Sequence, residues 1–391
     1  TFKIVSTYAP ALNELGMSLA TTYEDQPITY DNGAPVNNAS GSFNGTTTIR
    51  TAIRNSVNTV AVQCFEDVTP ELGLKYLDNF GFTTLAHGTE ADTDANGNVY
   101  TDANLPTALG GLTYGVKNVE LCAAYAAIAN GGNYIKPVYY TKILDHNGNV
   151  LIENNSVGRS VIKETTAYLL TSALEDVVQN GTGTACQLDN MAVAGKTGTT
   201  DAYNDLWFVG YTPYYTCAVW GGYDDNKECD YDTSFRFRLW KGIMSRIHEN
   251  LEEKDFKVPS SVERKSICTI TGKLAGSGCP SITEYFAKDT LPTETCSGHG
   301  YSYGSKSNSS TEDDSSSNAN TSGDSNRENG SNSTTGNTTG NTATGGDTTG
   351  GTTTGGSTGS TTGGSTGGST GGSTGGSTGG STGGTTGGST G

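Results

Sequence analysis

The sequence is short of the features that settle a chain's partners at once. It has no apolar run of about 18 residues, so no segment is long enough to cross a membrane as a helix. It carries only 23 Lys and Arg against 40 Asp and Glu, a formal charge of −17, and no basic cluster. That balance argues against a nucleic-acid partner. Histidine is scarce: His87, His146, His248 and His299 stand far apart, and none of the eight cysteines lies in Cys-x-x-Cys spacing. No zinc site is therefore expected. The chain opens on Thr1 without an initiator Met or a signal-peptide pattern, so it is expected to be a fragment whose targeting information lies upstream.

Glycine is abundant, at 55 residues, and unevenly spread. From Tyr301 onward 27 of 91 residues are Gly, many in Gly-Gly-Ser-Thr repeats, and only Tyr301, Tyr303, Ala319 and Ala343 are apolar. Such a stretch cannot bury enough surface to offset its chain entropy, so 301–391 is expected to be a disordered tail. Nearly all the hydrophobic residues fall in 1–300, enough for a sizeable core. A main domain over 1–255 and an extension of it over 256–300 are expected.

Helical pattern is already running at the first residues and stops near Gly16. Thr48–Asn55 and Thr59–Phe65 read as short helices, and Thr69-Pro70-Glu71 starts another that Gly81 closes. Asn118–Asn130 and Glu164–Asn180 are longer helices, each followed by glycine. Asn147-Gly148 marks a hairpin between Ile143 and Ile152. Met191–Thr199, Asp205–Tyr211 and Tyr215–Tyr223 then suggest an antiparallel meander, with a helix over Leu239–Leu251 packed on it. This order implies an α/β two-lobed enzyme, not a bundle or a sandwich.

Cys64 and Cys122 fall in helical patterns and Cys217 in a strand pattern, as buried free thiols do. Cys268, Cys279 and Cys296 crowd one polar, Gly-rich region, where a disulfide within the trio is expected of a secreted chain. Asp92-x-Asp94-x-Asn96-Gly97 imitates the start of a calcium loop, but its last ligand position is Ala103 instead of Glu, so a solvated turn is expected.

Chemistry-bearing residues fall in three places. Lys196-Thr197-Gly198-Thr199 ends a predicted strand; its cation and hydroxyls suit a carboxylate, and Gly198 lets another extended chain approach an edge. Ser56-Val57-Asn58 lies between two short helices. There the hydroxyl can relay a proton and the amide bind a peptide bond, or the serine simply caps a helix. Lys3 stands in the first helix. A Ser just before Thr1 would complete Ser-x-x-Lys, with hydroxyl and amine on one helical face and a desolvated Lys able to take the hydroxyl proton. The complete Ser160-Val161-Ile162-Lys163 comes too late in the chain, and its β-branched pair suggests a strand end that points the two side chains apart.

In this order the three motifs resemble those of penicillin-binding proteins and serine β-lactamases. Residues 1–300 resemble the C-terminal part of a class A penicillin-binding protein, a bifunctional peptidoglycan synthase. Ala108–Gly111, Asn180–Ala185, Asp205–Pro213, Trp220–Asp224 and the Pro292–Cys296 ending are similar to that family beyond the motifs. The resemblance implies the penicillin-binding transpeptidase (serine β-lactamase-like) fold, an antiparallel sheet with helices. The Lys3 helix would back onto a five-stranded sheet whose edge carries Lys196 to Thr199.

The same resemblance implies a peptidoglycan D,D-transpeptidase. A serine before Thr1 would attack the carbonyl of a stem peptide ending in D-Ala-D-Ala, with Lys3 as base, Ser56 as proton relay and Asn58 holding the amide. Lys196, Thr197, Gly198 and Thr199 would receive the terminal carboxylate, and the Thr199 N–H would serve the oxyanion hole. β-Lactam antibiotics would acylate that serine, and the chain without it is expected not to be acylated. No cofactor or metal is implied. An upstream half would supply a glycosyltransferase and a single span of a bacterial cell membrane, with this domain on the extracytoplasmic side. Between Asn58 and Lys196 there is no Glu-x-x-x-Asn, which disfavours a β-lactamase. A D,D-carboxypeptidase on the same site and a non-catalytic wall-binding module, suggested by the repeats, are the alternatives.

Overall fold

Ile4–Tyr8 form a π-helical turn that runs on into α1 (Ala9–Glu14), and Ile4, Val5, Tyr8, Ala9 and Ala11 are wholly buried. Ser6 and Thr7 are buried with them, the Ser6 hydroxyl donating to the Phe2 carbonyl at 3.2 Å, so the segment runs through the core instead of over it. The computed structural model describes residues 1–299 apart from Tyr231; the tail expected over 301–391 lies outside the described residues.

Next, β1 (Thr22–Asp25) pairs with β4 (Gly45–Thr48), and between them β2 (Ile28–Thr29) pairs with β3 (Pro35–Val36). Thr48 caps α2 (Ile49–Asn55) by accepting from the Thr51 N–H. Ser56 and Val57 link α2 to α3 (Asn58–Val68), and α4 (Pro70–Asn79) starts on the Thr69 cap and its first-turn proline, as expected. After α5 (Asn118–Ala129), β5 (Asn133–Tyr134) pairs with β8 (Arg159–Ser160) around the expected hairpin of β6 (Lys142–Leu144) and β7 (Val150–Glu153). α6 (Glu164–Asn180) follows, largely buried.

The meander consists of β9 (Ala194–Thr199), β10 (Asp205–Tyr211) and β11 (Thr216–Gly222), in the order β11-β10-β9. β10 alternates faces: Val209 and Tyr211 join the main core with α6, whereas Phe208 joins Val219, Trp240 and Met244 beneath α7 (Phe235–His248). The Phe208 and Trp240 rings meet edge-on at 5.1 Å. α7 begins before its expected Leu239 because Phe235 and Phe237 also pack on this second core. β9 is an edge strand, as expected, but the described sheet has three strands, not five. After β11 the chain turns into α7, and the last two strands, β12 (Val262–Cys268) and β13 (Ser281–Ala287), pair with each other.

That final hairpin is fastened to the rest. Glu284 on β13 is fully buried and accepts from Arg50 Nε at 2.5 Å and Nη2 at 2.7 Å, while Arg50 also donates to the Ser172 carbonyl at 3.0 Å. The Tyr285 ring packs edge-on against Tyr168 at 5.3 Å.

Cys64, Cys122, Cys186, Cys217, Cys268, Cys279 and Cys296 are free thiols, and Cys122 and Cys217 are half-buried instead of fully buried. The disulfide expected within Cys268, Cys279 and Cys296 is not formed, and the histidines are not all scattered. Those three sulfurs and a His299 nitrogen converge within 4.8 Å of one another. Pairing of β12 with β13, and a return of the chain at Leu274 and Thr295, bring together positions that are distant in sequence. Asp94 does close a solvated turn: its carboxylate accepts from the N–H groups of Asn96 and Asn98, the Asn98 side chain and the Tyr100 hydroxyl. Among the described residues no helix is long and apolar enough to cross a membrane.

Candidate active site

The end of α2 sets the first wall of the site. Ser56 closes that helix in the left-handed conformation, φ 57° and ψ 40°, with its N–H returned to the Ala52 and Ile53 carbonyls. A residue with a Cβ adopts this backbone at a cost, and such strain gathers at working positions. Lys3 Nζ donates to the Ser56 carbonyl at 2.8 Å, to Ser56 Oγ at 3.2 Å and to Asn58 Oδ1. Asn58 is fixed in turn: its Nδ2 donates to the Asn37 carbonyl at 2.6 Å and its N–H to Asn38 Oδ1 at 2.8 Å. Asn38 donates to buried Asp25 at 2.7 Å, and Asp25 also accepts from the Thr59 hydroxyl and the Asn44 N–H.

Strand β9 is the opposite wall. Lys196 is wholly buried and donates to the Thr197 carbonyl at 3.2 Å. The Thr197 and Thr182 hydroxyls share a hydrogen bond of 2.8 Å. Thr182 reaches it because Gly181 lets the end of α6 press on the end of α2; a Cβ at Gly181 would stand 2.4 Å from the Arg54 carbonyl. Farther along, Gly198 and Thr199 come to the surface, and Arg236 Nη2 donates to Thr199 Oγ1 at 3.3 Å. The walls meet at Thr1, whose nitrogen lies 3.0 Å from the Thr197 carbonyl and whose own carbonyl accepts from the Tyr125 hydroxyl at 2.7 Å.

Electrostatics give these groups distinct chemistry. Burial, and secondarily the Lys196 charge, hold the Lys3 amine well below the usual lysine range. Burial alone pushes Lys196 from its ordinary 10.5 to about 7. Among the described residues neither lysine, nor buried Arg236, forms an ion pair with a carboxylate. A desolvated amine within reach of a hydroxyl can serve as a base, and uncompensated cations beside an open strand edge suit an anion.

A model of the penicillin binding protein transpeptidase domain matches residues 1–236, and one of the penicillin-binding protein 1A C-terminal domain matches 258–301. The chain belongs to the penicillin-binding transpeptidase family. Both matches together make it of the class A type. Penicillin-binding protein 1A of Clostridium botulinum is 31% identical over 311 residues, covering 75% of this chain and 36% of the relative. That of Clostridium tetani is 31% identical over 318 residues, with 76% and 39% covered. The chain thus spans little more than a third of the length of these curated relatives. Among solved structures, Mycobacterium tuberculosis PonA1 in complex with penicillin V aligns with a TM-score of 0.56 at 25% identity, over 66% of this chain and 71% of that one. Haemophilus influenzae penicillin-binding protein 1A shares the fold, with a TM-score of 0.63 at 22% identity over 75% and 48% of the two chains.

In this penicillin-binding transpeptidase, the expected Lys3, Ser56, Asn58, Lys196, Thr197, Gly198 and Thr199 all line one cluster. The late Ser160 and Lys163 do not join it: Ser160 sits on exposed β8 with its hydroxyl on the Ile162 carbonyl, and Lys163 precedes α6. Sequence reading missed Asp25, Asn38, Thr182 and Arg236. The first two sit in a segment rich in Asn, Asp and Thr that reads simply as loop. Thr182 carried a signal, the Asn180-Gly181-Thr182-Gly183 run after a long helix. Arg236 falls ahead of the helix expected from Leu239, whereas it lies in α7, is buried and donates to the Thr233 carbonyl at 2.9 Å.

Proposed function

We propose that this domain is a D,D-transpeptidase that cross-links peptidoglycan stem peptides through a serine acyl-enzyme. The observation that carries the reading is Lys3, a buried amine bonded at once to the hydroxyl of Ser56 and the amide of Asn58. In the full-length protein a serine directly before Thr1 attacks the carbonyl of the penultimate D-Ala. Neutral Lys3 takes the hydroxyl proton as the Oγ–carbon bond forms. The peptide C–N bond breaks, and the proton returns through Ser56 to the nitrogen of the leaving D-Ala. Asn58 holds the donor amide, and Lys196, Thr197 and Thr199 bind the terminal carboxylate against the open edge of β9. The Thr199 N–H completes the oxyanion hole with that of the serine. An amine of a second stem then displaces the serine oxygen and restores its proton.

β-Lactams carry a carboxylate and a strained amide into the same place, which accords with the PonA1 structure holding penicillin V. The class A relatives support placing the domain outside a bacterial membrane, behind a single span and a glycosyltransferase half. We further assign 1–255 to the catalytic domain and 256–300 to its extension.

Labelling the full-length protein with a fluorescent penicillin and mapping the adduct is the test. The label is expected on the serine preceding Thr1; recovery on Ser56 or Ser160, or no adduct in folded protein, refutes the mechanism. Product analysis on a pentapeptide stem separates cross-linked dimer from the tetrapeptide that a carboxypeptidase leaves.

A further inference from the structure

We propose that Cys268, Cys279, Cys296 and His299 form a structural zinc site that locks the C-terminal hairpin. One sulfur closes β12, one precedes β13, and the third lies with the histidine on the returning segment, so a single ion would tie three stretches of chain. The sulfurs and the His299 nitrogen all lie within 4.8 Å of one another, and His299 Nε2 stands 3.1 Å from Cys268 Sγ and 3.4 Å from Cys296 Sγ. Metal–sulfur bonds of about 2.3 Å and a metal–nitrogen bond of about 2.0 Å in a tetrahedron put ligand atoms ~3.4–3.8 Å apart. A disulfide needs ~2.05 Å between two sulfurs and leaves the third thiol and the imidazole without a purpose.

The surroundings are those of a ligand cage. The N–H groups of Ile270 and Thr271 and the Thr271 hydroxyl lie near the Cys268 sulfur. Such donors orient a thiolate ligand from outside the coordination sphere. The backbone frame is tight: the Cys268 N–H donates to the Lys273 carbonyl at 2.8 Å and the Cys296 N–H to the Leu274 carbonyl at 2.8 Å. Gly276 lies so close to the last segment that a Cβ there would stand 2.0 Å from the Cys296 carbonyl. Gly298, at φ +98°, turns the chain between Cys296 and His299. Three thiolates and an imidazole, with no oxygen ligand, select zinc over magnesium or calcium. Binding releases the thiol protons to solvent, and the ion remains divalent throughout.

Apart from its docking through Glu284 and Tyr285, the hairpin is poor in core of its own. Its own apolar cluster consists of Ile267 and Phe286 set on Ala20, with Leu291 alongside. So small a core holds a module of this size poorly without a disulfide, a metal or docking.

The site rests on this hairpin alone and is independent of the transpeptidase reading; none of its readouts uses the active site. The full chain, purified under reductant without chelator, is expected to hold one zinc by elemental analysis. Cobalt exchanged for it is expected to give the intense visible bands of a tetrahedral thiolate site. Cys279→Ser and Cys296→Ser are expected to lose the metal and melt at lower temperature, whereas Cys122→Ser, outside the cluster, keeps it. Because the two cluster variants could fail to fold, the wild-type chain is also stripped by chelator and refilled, with recovery of the metal and of the melting temperature expected. Folded, reduced chain that holds no zinc and gives no cobalt bands overturns the proposal. So does iron in place of zinc, or a disulfide between two of the three cysteines in chain purified without reductant.

Discussion

Lys196→Met is the most direct test of the buried-cation account. Lowering of the lysine from 10.5 to about 7 is worth roughly 5 kcal/mol, at about 1.4 kcal/mol for each tenfold loss of proton affinity. Above its ordinary value the amine is neutral in both folded and unfolded chains, and nothing is lost. As the pH falls from about 10.5 toward 7, the unfolded chain takes up a proton that the folded one refuses, so stability drops. Below about 7 both states carry it and the full cost persists. Methionine fills similar space without the charge and gives up one hydrogen bond, worth ~1 kcal/mol. The variant is therefore expected to be more stable than the parent by about 4 kcal/mol at neutral pH. It should also show a shallower rise in stability toward alkali. Urea unfolding followed by circular dichroism between about pH 6.5 and 9.5 reads both quantities. Equal slopes in the two proteins, or a variant less stable than the parent at neutral pH, would refute the argument.

Glu284→Gln leaves the Arg50 guanidinium half-paired in a buried position, and a loss of ~3–5 kcal/mol is expected by urea unfolding. Joint replacement by Arg50→Met and Glu284→Leu should recover much of it. Asp25→Ala removes the acceptor shared by Asn38, Thr59 and Asn44, for which about 2–3 kcal/mol is expected. Since Asn38 holds the Asn58 N–H, penicillin labelling of the full-length protein should slow as well. Gly195→Ala places a Cβ 2.7 Å from the Phe208 ring and is expected to cost ~1–3 kcal/mol in thermal unfolding, while the folded fraction labels at the parent rate.

The helices were legible because caps and glycines announce themselves locally: Thr48 and Thr69 at starts, Gly81, Gly131 and Gly181 at ends. The motif residues were legible because each carries its chemistry in three letters. What the sequence could not show is what depends on the distant partner. Asn38 matters through a bond to Asn58, 20 positions away, and Arg50 through Glu284, 234 positions away. The cysteine cluster was legible in part: the trio of Cys268, Cys279 and Cys296 stood out in the sequence, whereas His299 joined it only through the return of the chain beyond β13. The extent of the sheet was misjudged for a related reason, because strand count depends on what pairs with β9 and β11, not on any one strand's pattern.

The break between the two matched segments, 1–236 and 258–301, looks like a natural place to divide the chain. The Arg50–Glu284 pair means that it is a seam in sequence only. Arg50 lies on α2, the helix that Ser56 closes, so the hairpin is tied to the element that holds the Lys3 partner. A shorter chain ending at α7 would keep every motif residue and yet strand that guanidinium without its carboxylate. The motif residues and the apparent appendage share one load path, which runs from β13 through Glu284 and Arg50 into α2.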